Sequence, residues 1–229
     1  MNKKITIYHG SNQIVEVPLW GMGRKNNDFG LGFYCTENID LAKEWAVSSL
    51  NDGFANRYTL DTENLSVLNL NCPEYTILNW IAVIVEHRLF CIKTPIARRA
   101  KQYLIDNFGI NVNAYDLIRG YRADDSYFDF AEAFLNNTIT VEQLSRAMRL
   151  GKLGEQIVLK SKYAFSKIKY DGYEVADKEQ YYVLRKSRND EANQAYLFIQ
   201  EEESDGLFIQ DILRGGITND DPRIPRNIS

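Results

Sequence analysis

The sequence predicts an α+β fold, and three observations carry that reading. Short segments of alternating apolar and polar residues are scattered from Ile5 to Lys160. Helical apolar stripes gather between about residues 73 and 150. Hydrophobic residues make up 45% of the 229, which is a globular composition and not a disordered one. That length holds one large domain with its own core, or one domain with a helical insert. There is no internal repeat, low-complexity tract or clear boundary. The chain is therefore read as a single domain over 1–229, with a helical insert at about 73–150 and a loose polar tail at about 219–229.

Ile5 to His9 alternates as a short strand and ends at the turn signal Gly10-Ser11. The stretch from there to Phe33 is punctuated by Pro18, Gly21, Gly23, Gly30 and Gly32. A long structured loop of this kind is usually functional. Phe33 to Thr36 reads as a second strand. Asn38 or Asp40 then caps a helix to about Leu50, with Leu41, Ala42, Trp45, Ala46 and Ser49 on one face. Residues 55–60 and 65–70 alternate like strands. Tyr75 to Phe90 is apolar almost all round and predicts a buried helix. Pro95 suits the first turn of another, to about Asn107.

Tyr115 to Gly120 predicts a strand, and Asp124 or Asp125 caps a helix through Leu135. Thr140 opens a further helix with Val141, Leu144, Ala147 and Met148 as its stripe. Glu155 to Lys160 reads as a strand. Lys178 to Gln200 reads as a charged helix that packs on one side, its charges forming a solvated face.

Composition excludes several roles. A net charge of −4 and a pI near 5.4 argue against a general duplex binder, which needs clustered Lys and Arg. The short cluster Arg98, Arg99 and Lys101 reads as a solvated helix face. Three widely spaced cysteines, Cys35, Cys72 and Cys91, suit neither a disulfide framework nor a zinc site. A reducing, cytoplasmic compartment follows. The N-terminus is too polar for a signal peptide, and the apolar run Ile77 to Val85 falls short of the roughly 20 residues of a membrane span. No membrane partner and no metal are expected.

Two motifs carry chemistry. One is Tyr8-His9-Gly10-Ser11. The other is Asp28-Phe29-Gly30-Leu31-Gly32-Phe33-Tyr34, followed by the helix with Ala42 and Trp45. His9 is one of only two histidines and sits at a strand end beside glycine, where a ligand can approach the backbone closely. A flat aromatic can stack on Tyr34. A carboxamide needs one donor and one acceptor, which the Gly10 main chain offers. The other histidine, His87, reads as a core residue. Cys35 has no second histidine to activate it.

This pair of motifs resembles the histidine–tyrosine branch of the ADP-ribosyltransferases, the branch that includes diphtheria toxin and the poly-ADP-ribose polymerases. More closely, the chain is similar to a bacterial family of unknown function commonly grouped with that superfamily. That likeness takes in Gly23-Arg24-Lys25-Asn26-Asn27-Asp28, Ala123-Asp124-Asp125, Glu155-Gln156-Ile157, Glu179-Gln180-Tyr181-Tyr182 and Phe208 to Leu213. The resemblance implies an ADP-ribosyltransferase-like split antiparallel β-sheet core, two small packed sheets with a nicotinamide cleft between them. It implies NAD as substrate and mono-ADP-ribosyl transfer to a macromolecular acceptor, protein or nucleic acid. It also suits a bacterial toxin or defence effector with an antitoxin protein as partner.

Residue by residue, the resemblance assigns His9 to the nicotinamide ribose, Gly10 to the carboxamide and Tyr34 to the ring. Arg24 suits the pyrophosphate or adenosine side. Ser11, Asp28 and Gly32 complete the NAD-binding set. His9, Tyr34 and Gln156 form the catalytic set. The branch usually carries glutamate where Gln156 stands. Neighbours on a strand face opposite sides, so only one of Glu155 and Gln156 meets the ligand, and the resemblance favours Gln156. An amide can bond a ribose hydroxyl but is no base at neutral pH. The alternatives are therefore a weak or inactive protein that binds NAD or a partner, and an NAD glycohydrolase in which water is the acceptor.

Overall fold

A computed structural model describes residues 4–90, 92–122, 125–150 and 154–226, and of residues 125–127 the backbone only. The chain opens with β1 (Lys4–Ser11), followed by the long glycine-rich loop and β2 (Phe33–Cys35). Asn38 caps α1 (Ile39–Ala46), its Oδ1 accepting from the N–H groups of Asp40 and Leu41. β3 (Gly53–Asp61) and β4 (Val67–Asn69) follow. α2 (Ile77–His87) starts at half of a capping box, where Asn79 Oδ1 accepts from the Thr76 N–H at 2.8 Å and from the Thr76 hydroxyl at 3.1 Å. Pro95 stands at the start of α3 (Pro95–Phe108).

β5 (Leu117–Tyr121), α4 (Asp125–Leu135) and α5 (Val141–Ala147) come next, α5 opened by Thr140 and Gln143 in a second capping box. The chain closes with β6 (Glu155–Leu159), α6 (Lys162–Ser166), β7 (Ile168–Ala176), α7 (Lys178–Glu201) and α8 (Ile209–Gly215). Among the described residues no helix is long and apolar enough to cross a membrane.

The strands form two sheets, in the orders β1-β3-β7 and β2-β6-β5-β4. Side chains from both sheets meet in a small core of Ile7, Cys35, Tyr58, Leu60, Leu117, Ile157 and Leu159. The other face of the second sheet carries Ile118 and Val158 into a larger core with α2, α3, α4 and α5. Trp80, Phe130 and Phe134 are buried there. The second sheet is thus a middle layer, apolar on both faces. The sheets join where Tyr8 and Thr36 exchange backbone hydrogen bonds of 2.7 and 2.9 Å.

The mixed α+β class stands, with differences in detail. The second sheet is not purely antiparallel, because β4 and β5 run parallel. β5 also divides the region about 73–150 into two helical stretches. α1 stops at Ala46 rather than near Leu50, because the Ser48 hydroxyl takes the N–H groups of Leu50 and Asn51 and turns the chain. Asp125 is the first residue of α4, and Asp124 lies outside the described residues. β7 escapes sequence reading because a bulge at Asp171 shifts its register, pairing Arg57 with Gly172 but Tyr58 with Tyr170. The apolar phase therefore jumps from Ile168 and Tyr170 to Tyr173 and Val175. The tail is not loose as far as Arg226. Ile224 is buried, and Arg226 bridges to Thr76 and donates to the carbonyls of Glu74 and Asn219.

Candidate functional site

Where β1 meets β2, a cleft opens with two connected parts. The inner part, about 190 Å³, is lined by His9, Gly10, Asn27, Asp28, Tyr34, Trp45, Arg88, Arg122 and Gln156. The outer part, about 640 Å³, shares His9, Gly10, Asn27, Tyr34 and Trp45 and adds the glycine-rich loop with Ser11, Arg24 and Gly32. Gln156 points to the same side of β6 as Val158, which belongs to the helical core. The cleft therefore lies at the seam of the sheets on the helical side, not between their packed inner faces.

His9 is held by Nδ1, 2.7 Å from the Tyr34 carbonyl. A carbonyl only accepts, so Nδ1 carries the proton and Nε2 remains an acceptor. The ring packs on Phe33 at 4.4 Å between centroids. Burial holds the His9 pKa below its ordinary 6.5, and His87 shifts the same way for the same reason. Burial disfavours the charged form of both in the folded protein, whereas the unfolded chain takes up protons as the pH drops below 6.5. The stability they contribute is present above that pH and lost on acidification. Thermal melts should show Tm falling as pH is lowered below 6.5, and His9→Gln should flatten part of that fall. An unchanged slope in His9→Gln would remove His9 from the account.

The Tyr34 hydroxyl donates to the Gly30 carbonyl at 2.6 Å and accepts from the Phe29 N–H at 3.0 Å. Burial, with the nearby Asp28 carboxylate, pushes its pKa far up, so it stays a neutral phenol. These bonds close the loop 29–34 into a rigid turn. Lys160 clamps the same turn, its Nζ donating to the carbonyls of Phe29 and Leu31 at 2.7 Å each. Burial draws the Lys160 pKa down to about 8.

Gly10 is a glycine for a packing reason. A Cβ there would sit 2.1 Å from the Ala42 carbonyl oxygen of α1. Its main chain also has a special position. β1 is an edge strand, and Tyr8 uses its N–H and C=O on Thr36. Two residues on, strand alternation turns the N–H and C=O of Gly10 to that same side, away from β3 and towards the cleft. Gly32 too is tightly packed, since a Cβ would meet Val158 at 2.5 Å.

Gln156, 3% exposed, donates from Nε2 to Asp28 Oδ2 at 2.8 Å and to the Tyr121 carbonyl at 3.2 Å. Asp28, 4% exposed, is paired through Oδ1 with Arg88 Nε at 3.0 Å. The Arg88 guanidinium lies over the Phe128 ring at 4.3 Å, and that of Arg122 over Trp45 at 4.6 Å. The Trp45 indole N–H is buried with no acceptor among the described residues. Glu155 faces the opposite side, bonded to Asn71 and to Arg119.

The sequence-derived residues thus divide. His9, Gly10, Asp28, Tyr34 and Gln156 meet in the inner cavity, while Ser11, Arg24 and Gly32 line the outer one. Asp28 is engaged by protein groups rather than left open for a ligand. Sequence reasoning missed Arg88 and Arg122. Neither carries a signal, since one follows a buried helix and the other a strand, and only tertiary packing brings them to Asp28 and Trp45. Trp45 itself stood in the second motif but was read as helix packing. Among the described residues no group of His, Cys, Asp or Glu could hold a metal ion.

No curated protein and no solved structure matches the chain. A family profile does match, over residues 5–170, from β1 into β7, and includes every residue of the cleft. By that match over most of its length, the chain belongs to DUF3990, a family of proteins of unknown function.

Proposed function

We propose that this protein is an NAD-dependent mono-ADP-ribosyltransferase acting on a macromolecular acceptor. The observation that carries the proposal is the convergence of His9, Gly10 and Tyr34 on one cavity at the seam of two sheets. Its volumes leave room for a flat amide-bearing ring in the inner part and a larger polar remainder in the outer part, a size normal for a small-molecule site. The chemistry NAD supplies is a ribosyl carbon whose bond to nicotinamide breaks, the electron pair leaving on nicotinamide, while an acceptor atom bonds that carbon and gives up its proton.

The chain's own residues bind and orient. The Gly10 edge offers the donor and acceptor a carboxamide requires. Tyr34, fixed by its two hydroxyl bonds, offers a ring to stack on. His9 Nε2 can accept from a ribose hydroxyl. Arg24 in the outer part suits a phosphate, and the Trp45 N–H is a donor awaiting an acceptor. A cytoplasmic toxin or defence effector held by an antitoxin is the setting that family analogy suggests.

A second reading, an NAD-binding protein that transfers nothing, is favoured by one observation: the amide of Gln156 is tied to Asp28, and no carboxylate stands at that strand position. Incubation with labelled NAD separates the readings. Nicotinamide release with labelled protein or nucleic acid is expected for a transferase, and release without labelling for a glycohydrolase. Binding without release marks the second reading. His9→Ala and Tyr34→Ala should each weaken NAD binding at least about tenfold, the size of one lost good contact. Unchanged binding in both variants would mean the site is elsewhere.

A further inference from the structure

We infer that Asp28 is a positioning residue that locks the Gln156 amide with its carbonyl oxygen turned to the cavity, as the acceptor for a substrate hydroxyl. The inference rests on the NAD reading above for the identity of that hydroxyl, the one on the ribose beside nicotinamide. The orientation itself follows from chemistry. Gln156 Nε2 sits 2.8 Å from a carboxylate oxygen and 3.2 Å from a carbonyl oxygen. Both partners only accept, so the NH2 must face them and its two hydrogens are both used. Oε1 is then the group left over, and among the described residues no protein donor bonds it.

The lock is itself supported. Arg88 pairs with the second Asp28 oxygen at 3.0 Å, and the Tyr121 carbonyl is fixed by the buried Trp80 indole at 3.0 Å. A freely turning amide would offer a donor as readily as an acceptor. This one offers an acceptor only, which is what a glutamate would offer. The arrangement also accounts for the amide. A glutamate at position 156 would set a second carboxylate against Asp28, and two buried carboxylates in contact cannot both stay ionised. The site keeps a single carboxylate, that of Asp28, which faces Arg88 and orients the Gln156 amide.

The test is a charge exchange using D28N, Q156E and D28N/Q156E, with nicotinamide release and Tm measured at one pH. In D28N the new amide can donate to Oε1, so Gln156 can turn its NH2 to the cavity. A misplaced acceptor should lower kcat roughly 10- to 100-fold, with KM for NAD little changed. Q156E should lose both Tm and kcat. In the double variant the amide now at position 28 donates to the carboxylate now at position 156, and most of the lost kcat and Tm should return. Wild-type turnover in D28N, or a folded double variant no better than the worse single one, overturns the inference.

If the wild type neither binds nor cleaves NAD, the transferase reading fails instead. Recovery of Tm in the double variant then still upholds the Asp28–Gln156 lock, and additive losses discard it. Should D28N not fold, the side-chain NH2 of Gln156 in the wild type, assigned by its loss in Q156E, carries the test. Slow solvent exchange of both protons is expected, and fast exchange overturns the lock.

Discussion

Gly10→Ala should destabilise the whole fold, not merely empty the cleft. The added methyl would lie 2.1 Å from the Ala42 carbonyl oxygen and 3.0 Å from both the Ala46 nitrogen and the Trp45 Cβ. The first contact is with helix backbone, so no side chain can swing aside. Relief requires α1 to lift from β1, and α1 cannot lift freely. Its far end is held where a Cβ on Gly53 would meet the Ala46 carbonyl at 2.3 Å, and Arg188 of α7 grips the buried Glu44 at 2.8 Å. Overpacking of this kind costs about 3 kcal/mol or more. For a chain of this size that is a Tm drop of roughly 6–12 °C. A glycine kept only for ligand approach would give the opposite pattern, an unchanged Tm with weakened NAD binding. Thermal melts of the variant without ligand therefore decide between the two roles.

The same residue shows what sequence alone can and cannot tell. The resemblance of the two short motifs to ADP-ribosyltransferases led to the expectation that His9, Gly10 and Tyr34 share a site, and the three do line one cavity. Most elements were legible too, wherever a cap or a regular stripe marked them. Thr140 opens α5 and Pro95 opens α3 as expected. The bulged β7 was not legible, since Asp171 breaks the two-residue period midway. Nor was the parallel pairing of β4 with β5, because the order of strands in a sheet leaves no local mark. Arg88 and Arg122 were hidden for a like reason: their partners lie 60 and 77 residues away along the chain. Glycine at position 10 was expected for the close approach of a ligand, whereas the structure shows the protein's own α1 backbone packed against it.

Arg88→Met should be the most costly change among the polar residues of the cleft. It keeps an apolar stem of similar length over Phe128 but removes the charge that faces Asp28 at 3.0 Å. The carboxylate is 6% exposed, so water cannot take the place of the guanidinium. Stranding one member of a buried pair costs about 3 kcal/mol, which again is a Tm drop of roughly 6–12 °C. The double variant R88M/D28N decides the cause. If the penalty is the stranded charge, the neutral amide at position 28 should restore most of the Tm. If the double variant is as unstable as R88M, the loss came from the stacking of Arg88 on Phe128. The distinction reaches function, because Arg88 is the link between α2 and the carboxylate that orients Gln156. Gln156 donates to Asp28 Oδ2, not to the oxygen that Arg88 faces, so that hydrogen bond can persist in R88M. R88M should therefore lose stability while keeping the hydroxyl acceptor in the cavity, whereas D28N should lose the acceptor. A pair of variants that moves Tm and turnover in these separate ways would mean that the fold and the site share one charge but use it for different ends.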